Sequence, residues 1–132
     1  MMVIVYGILV LLGFLFLSQL SIIWKAKRKK GQRIEGIPGK IGERIRRGEP
    51  VLLYFFSPTC RACKAQTPIF QRVKNQFRNA FAVDVSREQT VAQKFGIMGT
   101  PSIVWVKDGV IQQFWVGLRQ ESQLLALLQE QS

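Results

Sequence analysis

Histidine is absent from the 132 residues, and cysteine occurs only twice. The missing histidine removes His-based acid–base catalysis, Cys–His nucleophile pairs and imidazole metal ligands in one step. With two cysteines and no histidine, a four-ligand structural zinc site falls short unless two chains combine. Charged side chains are missing from the first 24 residues, while the whole chain carries a formal charge of +11. No internal repeat or low-complexity tract appears. The length allows one small domain and an appendage.

That uncharged stretch, residues 2–24, would make a helix of about 34 Å, enough to span a bilayer core. Trp24 sits at the interface position, and Lys25, Lys27, Arg28, Lys29 and Lys30 follow as a stop-transfer cluster. A cleaved signal peptide fits poorly, because no basic segment precedes the apolar run and no small-x-small site follows it. A retained single-pass transmembrane helix is therefore expected. Residues 25–49 hold ten of the 19 Lys and Arg against three acids. Beside a membrane helix, such a flank suits anionic lipid headgroups. No aromatics alternate with these cations, so nucleic-acid binding is not expected. The positive-inside rule favours a cytoplasmic domain, with the extracytoplasmic (periplasmic) side as the alternative.

The remaining pattern reads as an α/β domain. Residues 25–39 read as a basic juxtamembrane linker with turn chemistry at Gly36-Ile37-Pro38-Gly39. Ile37, Ile41 and Ile45 form one apolar stripe, which predicts a short amphipathic helix over residues 40–47. Val51–Phe56 is a continuous apolar run, the mark of a buried strand. A helix is predicted over 64–77 and kinked at Pro68, then a strand over 79–84 and a short helix over 89–95. A strand over 102–106 and a Lys107-Asp108-Gly109 hairpin lead to a strand over 110–116, and a terminal helix covers 121–129. Strands separated by helices should pair in parallel, with the late hairpin adding an antiparallel edge.

The two cysteines lie three apart, Cys60-Arg61-Ala62-Cys63, at the corner between the buried strand and the following helix. Unpaired N–H groups and the dipole at that helix start favour a thiolate. A structural disulfide closing so short a loop would yield little unfolded-state entropy. Redox chemistry is the reading that this placement supports best.

From about residue 51 to 128 the chain resembles thioredoxin. The matching features are the buried strand ending in Cys60-Arg61-Ala62-Cys63, the Pro68 helix, Gly99-Thr100-Pro101 before a strand, and the Lys107-Asp108-Gly109 hairpin followed by Gly117. The resemblance implies a thioredoxin-like three-layer α/β/α fold with a mixed sheet of four, or five, strands, preceded by the transmembrane helix. The expected domains are 1–24 transmembrane, 25–39 linker and 40–132 thioredoxin-like. It further implies that Cys60 is the attacking thiolate and Cys63 the buried resolving thiol. Pro101 would be cis against the dithiol, with Thr100 offering backbone groups to an extended substrate.

Three departures accompany the likeness. Arg61-Ala62 replaces the usual Gly-Pro, and the added charge should make the disulfide more oxidising. Tyr54 stands where the family carries a buried acid that aids proton transfer to the resolving thiol; on its own residue type it reads as core. Residues 32–35 are a poor candidate for the family's first strand. The expected function is a membrane-tethered thiol–disulfide oxidoreductase without bound cofactor or metal, exchanging electrons with protein substrates and an upstream redox partner. The alternative is a redox-inactive adaptor that binds extended peptides at the membrane.

Overall fold

A computed structural model describes residues 1–129, with the side chains of residues 22, 23 and 25–29 outside the description. The elements are α1 Met2–Lys29, α2 Gly39–Arg46, β1 Val51–Phe56, α3 Arg61–Gln76, β2 Ala80–Asp84, α4 Gln89–Phe95, β3 Ser102–Lys107, β4 Val110–Val116 and α5 Glu121–Gln129. The strands form one sheet in the order β2-β1-β3-β4. Helices cover both faces, so the fold is the expected three-layer α/β/α arrangement with four strands.

β1 is central and buried along its length apart from half-buried Phe56. Its residues alternate between two cores, as the two-residue period of a strand requires. Val51, Leu53 and Phe55 face a core shared with Ile41, Ile45, Val91 and Phe95 from α2 and α4. Leu52 and Tyr54 face the other, with Cys63, Phe70 and Val73 of α3 and Leu124 and Leu127 of α5. Every position on β1 therefore removes apolar area from water, each large side chain contributing roughly 1.5–3 kcal/mol.

Among the described residues, one strand pair is parallel. β1 pairs with β2 in parallel but with β3 antiparallel, and β3 with β4 antiparallel. This corrects the expectation that helix-separated strands would all run together. The reason lies in helix length. α3 has 16 residues and carries the chain back along the sheet, whereas α4 has seven, about 10 Å of rise. A six-residue strand spans about 20 Å. The chain therefore stays at one end of the sheet between β2 and β3, and β3 must run back.

The connector also differs from expectation. The first helix continues past Trp24 to Lys29. The next residues are fastened to β4: the Gly31 N–H bonds the Ile111 carbonyl, the Ile111 N–H bonds the Gln32 carbonyl at 2.8 Å, and the Ile34 N–H bonds the Gly109 carbonyl at 2.8 Å. Arg33 forms a bridge with Val110. Ile34 and Ile37 are 8% and 2% exposed and belong to the core. The stretch read as linker thus gives Ile34 and Ile37 to the core and is hydrogen-bonded to β4 over residues 31–34, while most of its other described side chains are exposed. Residues 32–35, judged against the first-strand position beside β2, instead find an antiparallel partner at the opposite edge. Lys25–Lys29, assigned to lipid contact, have side chains outside the description.

In α1, residues Met2–Ser21 have a mean hydropathy of 2.4 and none of the span is buried. By length and composition the helix can cross a membrane, a test that a signal sequence also passes.

Candidate active site

β1 ends at Phe56 on the edge of the core, and a tight corner follows. The Ser57 and Thr59 hydroxyls lie 3.1 Å apart, and the Cys60 N–H donates to the Ser57 carbonyl at 3.1 Å. This turn delivers Cys60 in extended conformation as the N-cap of α3. Its Sγ accepts the Cys63 N–H at 3.2 Å, in the place usually taken by a Ser or Asp oxygen. One of the four unpaired N–H groups at the helix start is therefore aimed at sulfur. In the reduced protein the same donor and the helix dipole favour Cys60 as thiolate.

Cys60 and Cys63 are joined as a disulfide. Cys60 is half-buried, Cys63 is 3% exposed, and Arg61 and Ala62 between them are exposed. A partner can reach the first sulfur and is screened from the second. Among the described residues no group of three or more His, Cys, Asp or Glu is placed to hold a metal.

The Thr100–Pro101 peptide bond is cis. Phe55 of β1 pairs with Ser102 of β3, so Pro101 and the dithiol sit at the same end of adjacent strands. Pro101 is buried and Thr100 half-buried. The Pro101 carbonyl accepts the Gly117 N–H at 2.8 Å, and the Ser102 hydroxyl donates to the Gly99 carbonyl. The loops on either side of β3–β4 are thereby fixed to each other. Beyond α1, the exposed large hydrophobics among the described residues are Met98, Val116 and Leu118. All three lie on these loops or the strand end that joins them.

Two buried polar residues complete the surroundings. Tyr54 is 1% exposed, and its hydroxyl lies 3.1 Å from the Cys63 carbonyl and 3.0 Å from the Thr67 hydroxyl, which itself donates to that carbonyl at 2.8 Å. Burial pushes the Tyr54 phenol above its ordinary pKa, with the Thr67 bond opposing in part. It stays neutral at physiological pH and cannot act as the base that a carboxylate would supply. Tyr54 is core, as its residue type suggested, but it also binds the backbone of the inner cysteine.

Gln66, not singled out by sequence, is fully buried on α3 and bonds both backbone groups of Arg119. The available signal was its spacing: Cys63, Gln66, Phe70 and Val73 mark the buried face of α3. A glutamine in that apolar register needs partners.

The family model for thioredoxin matches residues 40–130. Thioredoxin C-2 of Corynebacterium nephridii is 30% identical over 84 residues, covering 61% of this chain and 78% of that protein. Protein disulfide-isomerase 2-3 of Arabidopsis thaliana is 41% identical over 56 residues, 40% of this chain and 13% of that much longer protein. Among solved structures, the thioredoxin of Malassezia sympodialis superposes with a TM-score of 0.59 at 23% identity, covering 79% of this chain and 95% of that one. That last likeness bears on fold alone.

Proposed function

The chain belongs to the thioredoxin family, and from that premise we propose that it is a membrane-tethered thiol–disulfide oxidoreductase working on protein substrates through Cys60. The observation that carries this reading is Cys60 at the N-cap of α3, half-exposed and bonded to a buried Cys63. The Cys60 thiolate attacks one sulfur of a substrate disulfide and expels the other as thiolate, leaving a mixed disulfide. Cys63, deprotonated, then attacks Cys60 Sγ and releases the second substrate sulfur. The substrate gains two electrons and two protons, and the enzyme is left with its Cys60–Cys63 disulfide. Run backwards, the same steps oxidise a substrate dithiol.

Thr100, beside the cis bond, is placed to offer backbone groups to an extended segment, and Met98, Val116 and Leu118 offer apolar contact around it. Arg61 and Ala62 lie between the two cysteines in sequence, where Arg61 adds positive charge that favours the thiolate and makes the disulfide more oxidising toward substrates. An upstream redox partner resets the pair. No bound cofactor enters this chemistry.

The tether is supported by the exposed apolar span Met2–Ser21 and by the basic residues that follow it. The charge asymmetry favours a cytoplasmic domain. Three experiments test these readings. A Cys63→Ser chain should accumulate mixed disulfides with substrate proteins through Cys60, visible as adducts that collapse on reduction. If adducts form equally in Cys60→Ser, the assigned roles are wrong. The full chain should stay with membranes in alkaline carbonate, and a membrane-impermeant thiol reagent should spare it in intact, mildly reduced cells. Release by carbonate would exclude the tether, and labelling would place the domain outside.

A further inference from the structure

Gln66 has partners that its place in a hydrophobic face does not require. It is 0% exposed, on the same side of α3 as Cys63, Phe70 and Val73. Its Oε1 accepts the Arg119 N–H at 2.7 Å, and its Nε2 donates to the Arg119 carbonyl at 3.1 Å. One side-chain amide thus pairs with both backbone groups of a residue 53 positions away, as a neighbouring strand would. Arg119 lies between β4 and α5, two residues beyond Gly117, whose N–H holds the Pro101 carbonyl. The Arg119 guanidinium lies over the Trp115 ring at 5.0 Å, a second restraint on the same turn. Val116 and Leu118, two of the three exposed large hydrophobics beyond α1 among the described residues, alternate with these anchored residues. A continuous series of contacts therefore runs from the second turn of the dithiol helix, through the turn after β4, to the cis peptide.

We infer that Gln66 is a positioning residue for the exchange reaction. It locks the 117–120 turn to the helix that carries Cys60, and so sets the distance between the attacking sulfur and the surface that receives a polypeptide substrate. The inference rests on the oxidoreductase reading and assigns Gln66 no contact with substrate. Methionine at this site fills nearly the same volume but leaves the partly buried N–H and carbonyl of Arg119 without their side-chain partners, so the turn must move to satisfy them with water. A small disulfide needs only Cys60, whereas a protein disulfide needs Cys60 and the turn together. The loss should therefore fall on protein substrates and on KM.

The test uses the full chain in detergent, with Gln66→Met beside wild type. Insulin serves as the protein disulfide and an aromatic small-molecule disulfide as the other substrate. Gln66→Met should lower kcat/KM for insulin about tenfold, chiefly through KM, the size expected for losing two part-buried hydrogen bonds of modest net worth each. Its rate with the small disulfide and its equilibrium with glutathione should stay within about twofold of wild type, since the thiolate environment is untouched. Amide exchange at Gly117 and Arg119 should quicken. A parallel fall with both substrates, or no change with either, overturns the inference. A wild-type chain inactive on both overturns the oxidoreductase reading instead, and the exchange rates at Gly117 and Arg119 then decide whether Gln66 holds the turn. Should Gln66→Met fail to fold, Gln66→Glu keeps the acceptor for the Arg119 N–H, loses the donor, and is read by the same comparison.

Discussion

Tyr54 occupies the space under the inner cysteine without bringing an ionisable group of useful pKa to it. Its contribution is a hydroxyl shared with Thr67 and the Cys63 carbonyl. Tyr54→Phe should cost about 1 kcal/mol of stability, the net worth of such a bond, measured by urea unfolding. Because burial raises the phenol pKa, the neutral form is the favoured one in the folded protein. That stabilisation is complete below the ordinary tyrosine value, about 10, and is lost as pH rises through the folded value. The alkaline fall in stability should shrink in Tyr54→Phe. Asp84 gives the opposite sign. The Ser86 hydroxyl and N–H, with Arg87, hold its carboxylate below the usual range, so its contribution is present above that range and lost as pH falls through the folded value. Asp84→Asn should flatten the acid limb of the stability curve. Arg61→Gly should make the disulfide less oxidising by on the order of 10 mV, read by equilibration with glutathione, because an exposed charge acts through water.

Among the elements, β1 and α3 were legible in sequence because each announces itself locally. An unbroken apolar run predicts a buried strand, and Cys63, Phe70 and Val73 repeat at helical spacing. The site's two cysteines and the Thr100-Pro101 pair were legible for the same reason. What escaped was non-local. The antiparallel direction of β3 follows from how far α4 carries the chain, not from any residue pattern. The fastening of residues 31–34 to β4 uses backbone groups, which leave no side-chain signature, and only Ile34 there is apolar. Gln66 could not be placed because its partner is 53 residues away. The packed connector gives an element-scale prediction. A chain starting at Lys40 lacks Ile34 and Ile37, and it should be less stable than one starting at Gly31 by about 2–5 kcal/mol or more, the cost of emptying a buried isoleucine site. Gly42 belongs to the same unit: a Cβ there would strike the Ile37 carbonyl oxygen, so Gly42→Ala should destabilise and loosen α2.

For the whole molecule, charge and apolar area are divided by position. The exposed apolar span occupies α1, the densest positive charge follows it, and the domain from Pro50 onward carries nine basic and five acidic residues. The dithiol stands where β1 meets α3, and α1 joins the domain through residues fastened at β4. Because residues 31–34 are hydrogen-bonded to β4 rather than free, the chain that leaves α1 enters the domain at that edge of the sheet. Every proposed step runs through Cys60, so insulin disulfide reduction by the full chain with a dithiol reductant should separate wild type from Cys60→Ser. Wild type should accelerate the reaction well above the reductant alone, and Cys60→Ser should return it to that background. Undiminished acceleration by Cys60→Ser would exclude Cys60 as the attacking sulfur.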